Sequence, residues 1–294
     1  MAAIAAPGGR PDRWGSRSGL AFAREGRHRT AVSVAPSKGC QAPAITAWNA
    51  GHCERGTLSG MTTPIDSHPL DNVMWHALST TQAGWSRGGE RARRYQPEFA
   101  RFAGLPATAA ANFQALAADM AGEEVVALSD PHDVDPGPWF EVVERRNLVQ
   151  MIGAVSGDAR EPERFRTLCP ADVPRMTALV QLTAPGPWFE RTAELGRFVG
   201  MEVEGQLVAM AGERMRVPGH TEMSAICCHP DWRGRGLPTE LMRLVSRAIV
   251  ERGETPFLHV IAENAPAIAL YEKLGLRTRL RSRLTILRRN ATPA

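Results

Sequence analysis

The chain has 294 residues, 43% hydrophobic and 22% charged, which is ordinary for a globular protein and excludes a fully disordered chain, a collagen-like fibre or a coiled-coil rod. No run of about 18 apolar residues occurs, so no segment is expected to span a bilayer. The formal charge of +4 belongs to residues 1–60, with 8 basic and 3 acidic side chains; the remainder holds 27 and 28, and lacks the basic excess of a nucleic-acid-binding surface.

Residues 1–60 are rich in Gly, Arg, Ser and Ala with little apolar periodicity, and read as a disordered basic extension. No methionine lies between Met1 and Met61, so the functional chain is expected to begin near Met61. Residues 61–160 read as a smaller N-terminal α/β partner domain. Here 93–99 looks extended, 107–121 carries Phe113, Leu116, Ala117 and Met120 at helical spacing, and 124–128 and 140–152 are strand candidates. Trp75, His76 and Trp85 read as packing rather than as a pocket. The hexapeptide PGPWFE occurs at 136–141 and again at 185–190, with flanks that do not match.

The segment 161–294 is more regular. A strand at 165–168 precedes a helix at 170–182, and strands at 197–203 and 206–215 flank Glu204-Gly205, a hairpin signal. Pro218-Gly219 turns the chain into a strand at 221–228. A helix at 236–252 sets Leu237, Leu241, Leu244, Val245 and Ala248 on one face, with Gly253 as its stop. A buried strand at 257–262, a helix from Asn264 to Gly275 and a closing strand or two at 277–287 complete an α/β mixed sheet with flanking helices. The five cysteines (Cys40, Cys53, Cys169, Cys227, Cys228) are odd in number and form no CxxC pair. That argues against a disulfide framework or a zinc site and for a reducing, cytoplasmic setting; no metal is expected.

The most informative stretch runs from His229 to Thr239 and joins a strand directly to a helix. Gly234 and Gly236 permit a tight turn, the first helical amides converge, and Arg233 and Arg235 add charge, which makes an anion cradle suited to a phosphate or pyrophosphate. The GK-S/T ending of the ATP-binding loop is absent, and GxGxxG is not formed. A second stretch, from Asn264 to Leu276, begins 28 residues after Gly236. Together they resemble the GNAT superfamily of N-acetyltransferases. The family's Q/R-x-x-G-x-G/A falls on Arg233, Gly236 and position 238, and its N-x-x-A-x-x-L-Y-x-x-x-G-F/L falls on Asn264, Ala267, Leu270, Tyr271, Gly275 and Leu276. The resemblance covers about 163–290 and is nearest to the C-terminal domain of glycine N-acyltransferase-like members. Position 238 departs from the pattern: Pro238 has no N–H to offer a phosphate, although proline suits a first helical turn.

The resemblance implies a GNAT fold, with 61–160 read as a reduced GNAT-like half. It also implies acetyl-CoA as co-substrate in a V-shaped opening between strands 221–228 and 257–262. An amine acceptor, small or peptidic, would attack directly, with a backbone amide near Cys227 or Cys228 polarising the thioester. Cys228, His229, Arg233, Gly234, Arg235, Gly236, Leu237, Thr239, Asn264 and Ala267 would contact the coenzyme. Tyr271 matches the frequent general acid, and a phenol can protonate a thiolate; its alternative is a packed aromatic. Glu222 is the leading base, with His220, His229 and His259 as rivals and a solvated strand carboxylate as the alternative. No nucleic acid or membrane partner is expected, and a homodimer is left open. The competing reading is an acyl-CoA-binding sensor that keeps the fold without turnover.

Overall fold

Val73, Met74, Ala77 and Leu78 recur at helical spacing and are buried as one face of α1 (Val73–Ser79). The computed structural model describes residues 68–291, so the expectations for 1–60 and for a start at Met61 lie outside the described residues. Three short strands follow, β1 (Ser86–Gly88), β2 (Arg93–Tyr95) and β3 (Ala103–Gly104), and form a small sheet of their own. Then come α2 (Ala110–Ala118), β4 (Val125–Asp130) and β5 (Phe140–Ile152). The first PGPWFE lies in a short 3-10 turn entering β5. The second forms a loop beside Phe198, Arg214, Ser224 and Ala225, so the two copies have no common structure.

The rest of the chain gives β6 (Arg166–Thr167), α3 (Val173–Thr183), β7 (Phe198–Val203), β8 (Gln206–Val217) and β9 (His220–Cys228). After these come α4 (Leu237–Glu251), β10 (Thr255–Ile261), α5 (Ala265–Lys273) and β11 (Arg277–Arg289). Glu204 and Gly205 both take positive φ, 48° and 80°, as a two-residue hairpin turn between β7 and β8 requires.

The large sheet has eight strands in the order β4-β11-β5-β10-β9-β8-β7-β6. Its β9–β10 pair is parallel and its other pairs are antiparallel. Strands β8 and β9 are buried almost throughout because helices cover both faces. Helix α4 packs Leu237, Leu241, Met242, Val245 and Ile249 on one face, and α3 packs Met176, Leu179 and Val180 on the other. Each fully buried aliphatic side chain contributes about 2 kcal/mol. The buried stripe of α4 is rotated from the expected one: Met242 and Ile249 are buried, whereas Leu244 and Ala248 are only half-buried. The sheet also runs across the boundary expected near residue 160. Strand β5, from the N-terminal segment, lies between β10 and β11, so both segments build one sheet.

Candidate active site

The parallel ladder between β9 and β10 is short. Thr255 faces His220, Pro256 faces Thr221 and Phe257 faces Glu222, and the pairing ends there. Beyond it β10 stays with β5 and β9 stays with β8, so the two strands part as a V. The His229 amide donates to the Val208 carbonyl (2.8 Å), and Cys227 lies opposite Met210. Strand alternation therefore turns the Cys228 amide, between them, away from β8 and into the opening. Ala225 takes φ 51°, and the β8–β9 register shifts around it, a bulge on the wall of the V.

The loop 229–236 closes the upper end. The His229 imidazole Nδ1 accepts from the Asp231 amide (3.3 Å) and starts a 3-10 turn. Gly234 and Gly236 follow at φ 76° and 74°, a left-handed backbone that glycine takes without strain. Among the described residues, the amides of Gly234, Arg235, Gly236 and Leu237 have no backbone acceptor, while Thr239 donates back to the Gly236 carbonyl (3.0 Å). Four successive free amides at the start of a 15-residue helix make a cradle for an anion. Pro238 follows them and takes none away. Arg235 stacks on Trp232 (4.3 Å to the ring centre), and Arg233 is exposed beside it. Beneath the cradle a cavity of about 180 Å³ is lined by Thr183, Ile226, Cys227, Cys228, Arg233 and Pro238, among others. Burial raises the Cys228 thiol pKa against the pull of Arg233 and Arg235, and burial pushes Cys227 up to about 12, so neither is poised as a nucleophile.

On the far side of the V, Asn264 accepts from the Ala267 amide (3.3 Å) and caps α5. Ala267 and Tyr271 then lie in the core that also holds Ile226, Cys228, Leu237 and Val260. Tyr271 is 0% exposed, and its hydroxyl has no hydrogen-bond partner among the described residues. An unpaired buried hydroxyl costs about 1–3 kcal/mol. The V, the four free amides and this orphaned hydroxyl are three features that fit a thioester-bearing diphosphate. Burial raises the Tyr271 pKa, so the phenol keeps its proton.

Glu222, expected as a base, is placed otherwise. Its side chain is 0% exposed; Arg214 Nε and Nη2 donate to its two oxygens (2.9 and 2.8 Å), and His259 Nδ1 lies 2.8 Å from one of them. Burial would raise its carboxyl pKa, but Arg214 and His259 outweigh that and hold it below the usual range. A carboxylate with both oxygens engaged and no solvent contact is poorly set to take a proton from an acceptor. A two-residue loop at Pro218-Gly219 pairs Val217 with His220; carried on, that register sets Arg214 opposite Met223. The shift between Glu213 and Arg216 moves it opposite Glu222 instead, and this is why the ion pair is hidden from sequence reasoning. His259 is buried in the same network, and His220 lies at the sheet's opposite end, its ring edge-on to His68.

A strand pair that parts beside a phosphate cradle defines a class of proteins that hold an acyl carrier across an open sheet. Residues 198–284 match the family model described as FR47-like protein. A protein of known structure from Novosphingobium aromaticivorans, described as an acetyltransferase from the GNAT family, is 39% identical. The match covers 76% of this chain and 100% of that one, with a TM-score of 0.71. The chain belongs to the GNAT family of acetyltransferases. A GCN5-related N-acetyltransferase from Kribbella flavida is 15% identical, covering 74% of this chain and 96% of its own, with a TM-score of 0.46. No curated protein matches the chain.

Proposed function

We propose that the protein transfers an acetyl group from acetyl-CoA to a primary amine by direct attack. The observation that carries this reading is the parting of β9 and β10 beside four unpartnered amides at the start of α4. Those amides, with Arg233, Arg235 and Thr239, hold the diphosphate, and His229 and Leu237 fix the loop around it. Asn264 and Ala267 shape the opposite wall, and the Cys228 amide polarises the thioester carbonyl. The amine nitrogen bonds to the carbonyl carbon as the carbon–sulfur bond breaks. Tyr271 gives its proton to the departing sulfur, and the proton shed by the new amide nitrogen restores the phenol. Its motifs ally the chain with the glycine N-acyltransferase-like branch. The described cysteines are all free thiols, in keeping with work in a reducing cytoplasm, and no described helix is long and apolar enough to cross a membrane. The test is the purified protein with acetyl-CoA and a panel of amines: thiol release that depends on the amine supports the reading, and tight coenzyme binding without release from any amine opposes it.

A further inference from the structure

Below the bulge lies a buried polar chain that coenzyme binding leaves unused. Gln150 Nε2 donates to the Leu70 carbonyl (3.0 Å) and lies 3.2 Å from His259 Nε2, while its Oε1 accepts from Arg279 (3.1 Å). An amide nitrogen only donates, so His259 Nε2 accepts and the ring proton sits on Nδ1, facing Glu222. His259 is then neutral, and Arg214 and Glu222 cancel each other. Two nitrogens of the Arg214 guanidinium serve Glu222; the third, Nη1, has no hydrogen-bond partner among the described residues. Arg214 lines a small cavity with Ser224, Ala225, Trp188 and the 185–187 loop. Its room, about 10 Å³, seats roughly one water-sized group. Trp188 is fixed there by donating to Thr177 (3.0 Å) and by an edge contact on Phe198. This cavity meets β9 at Ser224 and Ala225, and the cradle cavity meets it at the next residues, Ile226 to Cys228.

Resting on the acyl-transfer reading, we propose that the acceptor docks a neutral carbonyl oxygen on Arg214 Nη1, so that the substrates are α-amino amides, either amino-acid amides or peptide N-termini. Two arguments exclude the neighbouring classes. A free amino acid would bury a second carboxylate beside an ion pair that is already neutral, without a counter-charge. A lysine side chain has a pKa near 10.4 and needs a base, whereas an α-amine beside an amide titrates at about 7.7–8.0. No described residue lining the cavity is a carboxylate or imidazole to serve as that base.

The experiment compares L-alaninamide, an alanine tripeptide amide, free L-alanine and Nα-acetyl-lysine amide as acceptors, read by thiol release. The amide, the tripeptide or both should exceed free alanine and the lysine derivative in kcat/KM by at least about tenfold. Reaction of the small amide alone marks a small-molecule acceptor; reaction of both marks a peptide N-terminus. Equal or faster reaction of free alanine or the lysine derivative overturns the proposal while leaving acetyl transfer intact, whereas no thiol release from any amine removes the transfer reading itself. Arg214→Lys keeps a charge against Glu222 but gives up the planar fork. It should raise KM for alaninamide with kcat and coenzyme affinity held, and an unchanged KM also overturns the proposal. Should the variant fail to fold, the acceptor comparison in the unaltered protein still decides.

Discussion

Tyr271 and Glu222 are both fully buried, yet burial gives them opposite parts. The phenol is isolated: no described residue pairs with its hydroxyl, and its proton is held more tightly than in water. Tyr271→Phe removes an unpaired polar atom, so the melting temperature should hold or rise. Thiol release should slow by about a hundred- to ten-thousand-fold while calorimetric coenzyme affinity is unchanged. An unaltered rate would assign the ring to packing with Ala267 and Leu274. Glu222, by contrast, is held on every side, and removing one member of such a buried pair costs about 3–5 kcal/mol. His259 adds a pH dependence. Burial lowers its pKa against the pull of Glu222, so below about pH 6.5 the unfolded chain binds a proton that the folded one refuses. Stability should therefore fall as pH drops through that range, by at most about 1.4 kcal/mol per pH unit from this group. His68 and His76, also lowered first by burial, add to the slope. The Glu222 share, whose folded pKa is depressed, is held above the ordinary carboxylate pKa and lost progressively as pH falls from there toward the depressed value. His259→Asn should be less stable at pH 8 and show a flatter dependence between pH 7 and 5 in urea melts; a slope equal to the parent's would mean that folding leaves the His259 pKa unshifted, and a steeper one that His259 is protonated in the fold.

At the scale of elements, the turn into α4 is where the proposed anion site lies. At Gly236 (φ 74°) an added Cβ meets nothing within 4 Å, so a side chain fits there, in open space within the run of free amides. Gly236→Glu sets bulk and negative charge in the cradle. Coenzyme affinity should drop by at least about a hundredfold in calorimetry, because the carboxylate competes for the same donors. The left-handed strain costs only about 1–2 kcal/mol, so the melting temperature should fall by just a few degrees. Coenzyme binding retained at parental strength would move the diphosphate elsewhere. This turn was legible in the sequence because the chemistry and the geometry are local. Strands, turn and helix follow one another in the chain, and α4, α5, β9 and β10 lie within a few residues of their expected bounds. What escaped was either too short or non-local. Helix α1 is seven residues long, too short for periodicity to declare itself. The Arg214–Glu222 pair depends on a one-residue register shift. Strand β5 alternates in exposure over Glu141–Asn147 and is wholly buried from Leu148, a pattern that marks where the sheet becomes covered on both faces but not which strands lie beside it.

For the whole molecule, the placement of β5 decides whether residues 61–160 are a separable partner. β5 pairs with β11 along nearly its whole length, and its last residues, Leu148–Ile152, pair with β10. Gln150, on that strand, also completes the buried chain behind Glu222. A fragment of residues 163–294 would keep every motif of the proposed coenzyme site. It would also expose the β10 edge, strip β11 of both neighbours and open Leu258, Val260 and the other apolar residues that Val149 and Met151 cover to water. Unpaired edges of that kind recruit other chains. The expressed fragment should aggregate or bind hydrophobic dye without a cooperative melt, and should bind coenzyme A at least about a hundredfold more weakly than the intact chain. A sharp transition within about 5 °C of the parent, with coenzyme affinity kept, would instead make the two segments independent domains that share a sheet without needing it.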